Sequence, residues 1–270
     1  MPELPEITHL AKQFHTHLSG KVVQFVDVLQ PKSLNMPVNE FRSNVTGATW
    51  LSADNRGKWI RVRTNQGWLL INLGMGGELL LVNREKLPEK KRLIFYFDDG
   101  TCLSANFWWF GYVHFVNEDS LSQHTMTAKL GPNALDINLD EFKKMLTGQR
   151  SAIKTFLLDQ SHLAGIGNAY IHDILFLSRV HPLRKISSLN TKEVESIWQA
   201  IQDGLRPSIE KGGAFYEVDL FGEKGGFTME DILVGYKEGQ PCPRCSMPIE
   251  KIKTGSTSSF VCPVCQPYRD

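Results

Sequence analysis

Residues 242–265 read CPRCSMPIEKIKTGSTSSFVCPVC. Four cysteines, Cys242, Cys245, Cys262 and Cys265, are spaced C-x2-C-x16-C-x2-C. Each C-x2-C pair can offer two thiolates from one tight turn, and two such turns complete the tetrahedral sulfur set that Zn2+ favours. The spacer has β-prone ends around Thr254-Gly255-Ser256, so it predicts a β-hairpin joining two knuckles. Four protein ligands leave no open coordination position, so the expected cofactor is one structural Zn2+ that folds the segment. Two disulfides are the alternative in a secreted chain. The N-terminus, MPELPEITHL, argues against it, because it carries two acids and no apolar core of a signal peptide. The fifth cysteine, Cys102, lies in the alternating TCLSANF and reads as a strand or core residue.

Upstream of the knuckles the apolar period is helical. DEFKKML, SAIKTFLLDQ, a segment after GIGN and TKEVESIWQAIQDGLRPSIEKG lie within residues 140–212. Further upstream the pattern changes. KVVQFVDVL, ATWLSA, KWIRVRT, WLLINL, ELLLV, RLIFYF, TCLSANF and YVHFV are short, rich in β-branched or aromatic residues, and separated by Gly, Asn or Asp turns. They predict an antiparallel sandwich or barrel. A helix over residues 4–18 leads into them, with Leu4, Ile7, Leu10, Phe14 and Leu18 on one face. The fold class expected is therefore α+β, and the polar stretch 117–138 holds the boundary between the halves. The domains are placed at 1–130 for the β-sandwich, 131–235 for the helical domain and 236–270 for the zinc finger.

Composition narrows the class without naming it. The 270 residues are 41% apolar and 22% charged, as in ordinary globular chains, with a net charge of +1. No apolar run reaches the 18 residues of a membrane span, so no membrane partner is expected. A balanced charge does not announce a nucleic-acid binder, yet a basic face can be offset by acids elsewhere. Within the helical half, GIGN at 165–168 opens a helix, where backbone N–H groups and Asn168 can meet a phosphate. A purely structural turn explains the same four residues. Lys154, Arg179, Arg184 and Lys185 are flanking cations, or solvated helix surface.

MPELPEI at the N-terminus, RGK at 56–58, LDQ…AGIGNAY at 158–170 and the terminal CPVCQ occur in that order. Together they resemble the formamidopyrimidine-DNA glycosylase and endonuclease VIII family of base-excision repair, over essentially the whole chain. The resemblance implies a two-sheet sandwich, a helix-two-turns-helix module and a zinc finger, with DNA bound between two lobes. It implies removal of damaged bases with AP-lyase strand cleavage, on double-stranded DNA containing a damaged base or an abasic site. It also implies a monomer working in a bacterial-type cytoplasm, associated with the nucleoid.

The chemistry at the N-terminus can be weighed separately. Removal of Met1 before a small residue exposes Pro2 as a secondary amine. An α-amino group titrates near ~8, so part of it is unprotonated and nucleophilic near neutrality. Attack at C1′ of a sugar yields a cationic iminium, which acidifies the C2′ proton and permits elimination. Glu3 is placed to act as general acid or base. Taken alone, Pro2 and Glu3 also suit the start of a helix. The resemblance assigns the catalytic role to them, matches Glu6, and places Lys58 and Asn168 on the phosphate backbone, with Lys154 and Tyr170 beside Asn168. Lys58 alone reads equally as a surface lysine at a strand start.

Flipping a base out of the stack leaves a hole to be filled. By resemblance Met75, in LGMGG, fills the void and Phe110, in WWFG, is the wedge; core packing is the alternative for both. Trp108 joins this group by position.

Three departures accompany the match. The family's Arg pair before the Phe-Gly is Trp108 and Trp109 here, and an indole cannot offer the five donors of a guanidinium. The family's phosphate-gripping hairpin Arg is Thr257, and a Glu after the Asn is Asp173. These changes leave open which lesion is excised, and they leave two alternatives: a monofunctional glycosylase for an unusual lesion, or a non-catalytic binder of damaged DNA. The loop LFGEKGGF at 220–227 would read the lesion by shape.

Overall fold

The computed structural model describes residues 1–108 and 110–269. They form two compact units, one of Met1–Lys129 with Lys211–Gly226, the other of Leu130–Glu210 with Phe227–Asp270.

The first unit begins with α1 (Leu4–Leu18), whose buried face includes Leu4, Ile7, Leu10, Phe14 and Leu18. Then come β1 (Val23–Val28), α2 (Val38–Val45), β2 (Trp50–Arg56), β3 (Trp59–Thr64), β4 (Trp68–Asn72), β5 (Glu78–Asn83), β6 (Leu93–Phe97), β7 (Thr101–Asn106) and β8 (Tyr112–Val116). All eight expected strands are present, arranged as two four-stranded antiparallel sheets ordered β1-β6-β7-β5 and β2-β3-β4-β8. One core takes side chains from both sheets and from α1. Trp50 of one sheet packs edge-on to Phe95 and Phe97 of the other, with centroids 5.4 and 5.2 Å apart, and stacks on Phe14 of α1. Aromatic payloads of this kind bind the two layers and the helix into one interior. The short helix α2 was not expected. Its Val38, Phe41 and Val45 have helical spacing, but Pro37 and a polar surround masked the signal.

The second unit carries α3 (Leu139–Leu146), α4 (Ile153–Leu158), α5 (Ile171–Leu177), α6 (Thr191–Glu210), β9 (Glu250–Thr254) and β10 (Thr257–Val261). Asn138 and Glu141 form a reciprocal capping box that starts α3. Strands β9 and β10 pair in antiparallel register with Gly255-Ser256 at the turn, where Gly255 has φ +66°. This is the hairpin the spacer predicts.

Candidate active site

Glu3 precedes α1 in extended conformation, and the first turn is fixed by Glu6, whose Oε2 accepts the Glu3 N–H at 2.8 Å. Its Oε1 accepts the Ala214 N–H at 3.1 Å. Glu6 is thereby committed to holding the N-terminus against the 211–226 segment. Pro2 and Glu3 are both buried. The β2–β3 turn has Gly57 at φ +55°, a backbone a side chain resists, and Lys58 follows it. This turn directs Lys58 Nζ to 3.9 Å from Glu3 Oε1, with the lysine side chain 11% exposed. Pro2, Glu3 and Lys58, expected together as the catalytic set, are thus brought to one place.

Asn72 links that place to a second feature. Its amide donates to the Lys58 carbonyl at 2.9 Å, and its Oδ1 accepts the Gly74 N–H at 3.0 Å. The turn that follows carries Met75, 51% exposed, between Gly74 and Gly76 at positive φ. A Cβ on Gly74 would fall 1.6 Å from the Phe110 carbonyl oxygen, and one on Gly76 would press the Trp108 indole at 3.2 Å. Two loops therefore interlock only because glycine leaves room. They present Met75, Trp108 (65% exposed) and Phe110 (60% exposed) side by side. The core-packing alternative does not apply to Met75 or Phe110. Trp109, the other half of the Trp pair, lies outside the described residues.

The 211–226 segment completes the first unit. Asp219 Oδ1 accepts N–H groups of Phe221 and Glu223, while its Oδ2 takes the Gln13 amide at 2.7 Å. A Cβ on Gly225 would sit 2.1 Å from the Gly213 carbonyl, so this loop too depends on a close backbone approach.

In the second unit Asn168 is exposed just before α5. The turn before it is stapled by Gln160, whose Oε1 accepts the Gly165 N–H and whose Nε2 donates to the Leu158 and Ile166 carbonyls. The LDQ of the sequence match is thus the brace for GIGN.

Lys154 and Tyr170, expected among the DNA contacts, are placed inward. Tyr170 is buried and shares a 2.6 Å hydrogen bond with Ser208. Lys154 is 3% exposed, which removes the solvated-surface reading for it. Its three N–H bonds are shared among four acceptors, Thr254 Oγ1, Thr257 Oγ1, the Ser258 carbonyl and Ser259 Oγ, at 2.7 to 3.0 Å. Burial pulls its ammonium down to about 8. Arg184 is likewise buried, paired with Glu193 at 3.1 Å, whereas Arg179 and Lys185 are exposed. Asp173 is buried and accepts N–H groups from Leu233, Val234 and Gly235 at 2.7 to 2.9 Å. Burial raises its carboxyl, and the three donors oppose the rise.

The cysteine sulfurs lie within 4.8 Å of one another. Three of the sulfur–sulfur separations run from 3.4 to 3.8 Å. A Zn–S distance of about 2.3 Å makes the edge of a sulfur tetrahedron about 3.8 Å, so the cluster fits one structural zinc. The N–H of Arg244 points to Cys242 Sγ and that of Cys265 to Cys262 Sγ, each at 3.4 Å, as thiolate ligands require of their surroundings. Gln266, fully buried, ties the second knuckle to the Val180 carbonyl.

Sequence reasoning gave no role to Asn72 or Glu217, and it cited Gln160 only as part of LDQ. Glu217 Oε1 lies 3.3 Å from the terminal ammonium of Met1. Asn72 sits in the strand run WLLINL and Gln160 in the LDQ motif, but their bonds to the Lys58 carbonyl and to the 165–166 backbone show only in three dimensions, and Glu217 is found only through Met1.

Three family models match consecutive parts of the chain: the formamidopyrimidine-DNA glycosylase N-terminal domain over residues 1–106, its H2TH domain over 130–218, and a zinc finger found in FPG and IleRS over 239–267. A formamidopyrimidine-DNA glycosylase of Streptococcus mutans is 35% identical over 275 residues, covering 98% of this chain and 99% of that protein. One of Rippkaea orientalis is 35% identical over 282 residues, covering 98% and 100%. The Lactococcus lactis Fpg bound to abasic-site DNA superposes with a TM-score of 0.90 at 26% identity, covering 98% of this chain and all of that one. A G226P mutant of the same enzyme, bound to DNA containing Fapy-dG, gives the same score and identity.

Proposed function

The chain belongs to the formamidopyrimidine-DNA glycosylase family, and on that premise we propose how its residues divide the work. It is a base-excision repair DNA glycosylase with AP-lyase activity. Its partner is double-stranded DNA carrying a damaged base or an abasic site. Its relatives are bacterial, and no helix among the described residues is long and apolar enough to cross a membrane. It works on chromosomal DNA in the cytoplasm, at the nucleoid.

Pro2, freed of Met1, is the nucleophile. Its nitrogen attacks C1′ as the damaged base departs, and the resulting iminium permits strand cleavage by elimination. Glu3 donates a proton to the departing sugar oxygen or base and later accepts one. Lys58 holds Glu3 in orientation and contributes a point charge toward the phosphate backbone. The observation that carries this reading is the meeting of buried Pro2 and Glu3 with Lys58 Nζ, 3.9 Å from the carboxylate, on a turn far away in sequence.

Asn168, exposed before α5, takes a phosphate; Lys154 and Tyr170 support that segment and the hairpin from within. Met75, Trp108 and Phe110 enter the duplex when the base leaves the stack. Cys242, Cys245, Cys262 and Cys265 hold zinc, which supplies folding energy to the hairpin.

Borohydride trapping on abasic duplex DNA tests the assignment. Processed protein becomes covalently attached, whereas protein that retains Met1 does not, because its Pro2 nitrogen is an amide. Trapping of the Met1-retaining form would move the nucleophile to a lysine.

A further inference from the structure

Three carboxylates surround the N-terminus. Glu6 is occupied by the Glu3 and Ala214 N–H groups, and Glu3 faces Lys58. The third, Glu217, touches the terminal nitrogen itself, with Oε1 3.3 Å from the Met1 ammonium and its side chain only 12% exposed. It stands on a segment fixed at both ends: its N–H donates to the Ala214 carbonyl at 3.0 Å, and its carbonyl accepts the Gly225 N–H at 3.3 Å. A carboxylate this buried is costly unless a cation faces it. Burial pushes its carboxyl upward, the terminal ammonium draws it back, and the neighbouring Glu6 pushes it up again.

We propose that Glu217 is the positioning residue of the nucleophilic amine, holding the terminal ammonium in the site and accepting a proton from its nitrogen during attack. The proposal rests on the reading of Pro2 as nucleophile. Removal of Met1 hands the terminal charge to the adjacent residue, a displacement of at most about 3.8 Å along the chain. The glutamate side chain has the torsional freedom to follow it.

The protons balance as follows on an abasic aldehyde. The ammonium first releases one proton to water. The nitrogen lone pair then bonds to C1′ as the C=O π pair moves onto oxygen, and that oxygen takes a proton from the Glu3 carboxyl, the general acid, and becomes a hydroxyl. The remaining N–H proton passes to Glu217, and the freed pair forms the C=N bond as the hydroxyl leaves with its bonding electrons. Glu217 returns its proton to that hydroxyl, and water departs. Glu3, beside Lys58, supplies the first proton to the oxygen, and Glu217 carries the nitrogen proton to the departing hydroxyl.

The test uses the full chain with Met1 removal verified by intact mass. Acetic anhydride labels the N-terminal amine at a series of pH values, and mass spectrometry of the N-terminal peptide gives the midpoint of its reactivity without DNA. An opposite charge at this range favours the charged form, so Glu217→Gln is expected to lower the midpoint by about one pH unit. Glu217→Asp, which keeps the charge at shorter reach, is expected to fall between. In parallel, borohydride trapping on abasic DNA is expected to slow at least about tenfold at its plateau in Glu217→Gln. Coincident midpoints in Glu217→Gln and the wild type overturn the proposal, whatever the trapping rate. A wild-type protein that is never trapped overturns the Pro2 reading instead, and the DNA-free labelling tells the two failures apart.

Discussion

The Nζ of Lys154 donates to the hydroxyl of Thr257 at 3.0 Å, joining α4 to the first residue of β10. Where the family pattern has a hairpin arginine, this chain has a threonine and a buried lysine that fills the turn from beneath. An arginine at 257 and an ammonium at this spot would compete for the same oxygens.

Thr257→Arg is therefore expected to destabilise the second unit, because a second cation would crowd the oxygens that already hold the Lys154 ammonium. Lys154→Met alone leaves buried oxygens without their donor and is expected to cost about 2 kcal/mol. The double variant is expected to recover part of the loss, with a coupling of about 1 kcal/mol in a double-mutant cycle. Thermal and urea unfolding measure it; strictly additive effects would mean the two side chains do not sense each other.

Metal analysis is expected to return about one zinc per chain. Chelation is expected to release the 242–265 hairpin, read as loss of hydrogen-exchange protection in β9 and β10, while α1 and both four-stranded sheets keep theirs. Unchanged protection after zinc loss would show that the hairpin stands without metal.

The buried His114 and His124 share a 2.8 Å contact between His114 Nδ1 and His124 Nε2, and His124 Nδ1 meets Thr127 Oγ1 at 2.8 Å. Burial, and then the neighbouring His124, pull His114 down to about 4; burial lowers His124 too. The unfolded imidazole titrates near ~6.5. Between those values the unfolded chain binds more protons, so stability is whole above about pH 6.5 and is lost as pH falls toward 4. His114 alone accounts for about 3 kcal/mol of that loss. Urea unfolding at pH 7.5 and 5 checks it, and a non-titrating His114→Asn variant is expected to show a flatter dependence. Equal slopes would place the acid sensitivity elsewhere.

Met75→Ala is expected to slow base release from duplex DNA about tenfold and to leave release from single strands within about twofold, since only a duplex needs its stack refilled. Equal slowing on both substrates would return Met75 to a structural role.

Much of this architecture is legible in one dimension. The strands β1 to β8 announce themselves by alternation between turn residues, α1 by a 3.6-residue stripe, and the metal site by two C-x2-C knuckles. Helix α2 escaped because eight residues after a proline make too short a stripe to stand out. Pro2, Glu3 and Lys58 were nameable through the resemblance, and the loops bearing Met75 and Phe110 through their glycines.

The remainder depends on partners far along the chain. Nothing near Lys154 in sequence distinguishes a surface lysine from one buried under a hairpin a hundred residues away. Asp173 is a shortened glutamate on paper and an anchor for three backbone N–H groups in space. Glu217 is one acid among 29 until it is found against the terminal ammonium. Periodicity and ligand spacing operate within a turn or a strand, so they are written locally. The state of a charge depends on how much water is stripped from it and which opposite group is brought up instead, and both are set by long-range packing.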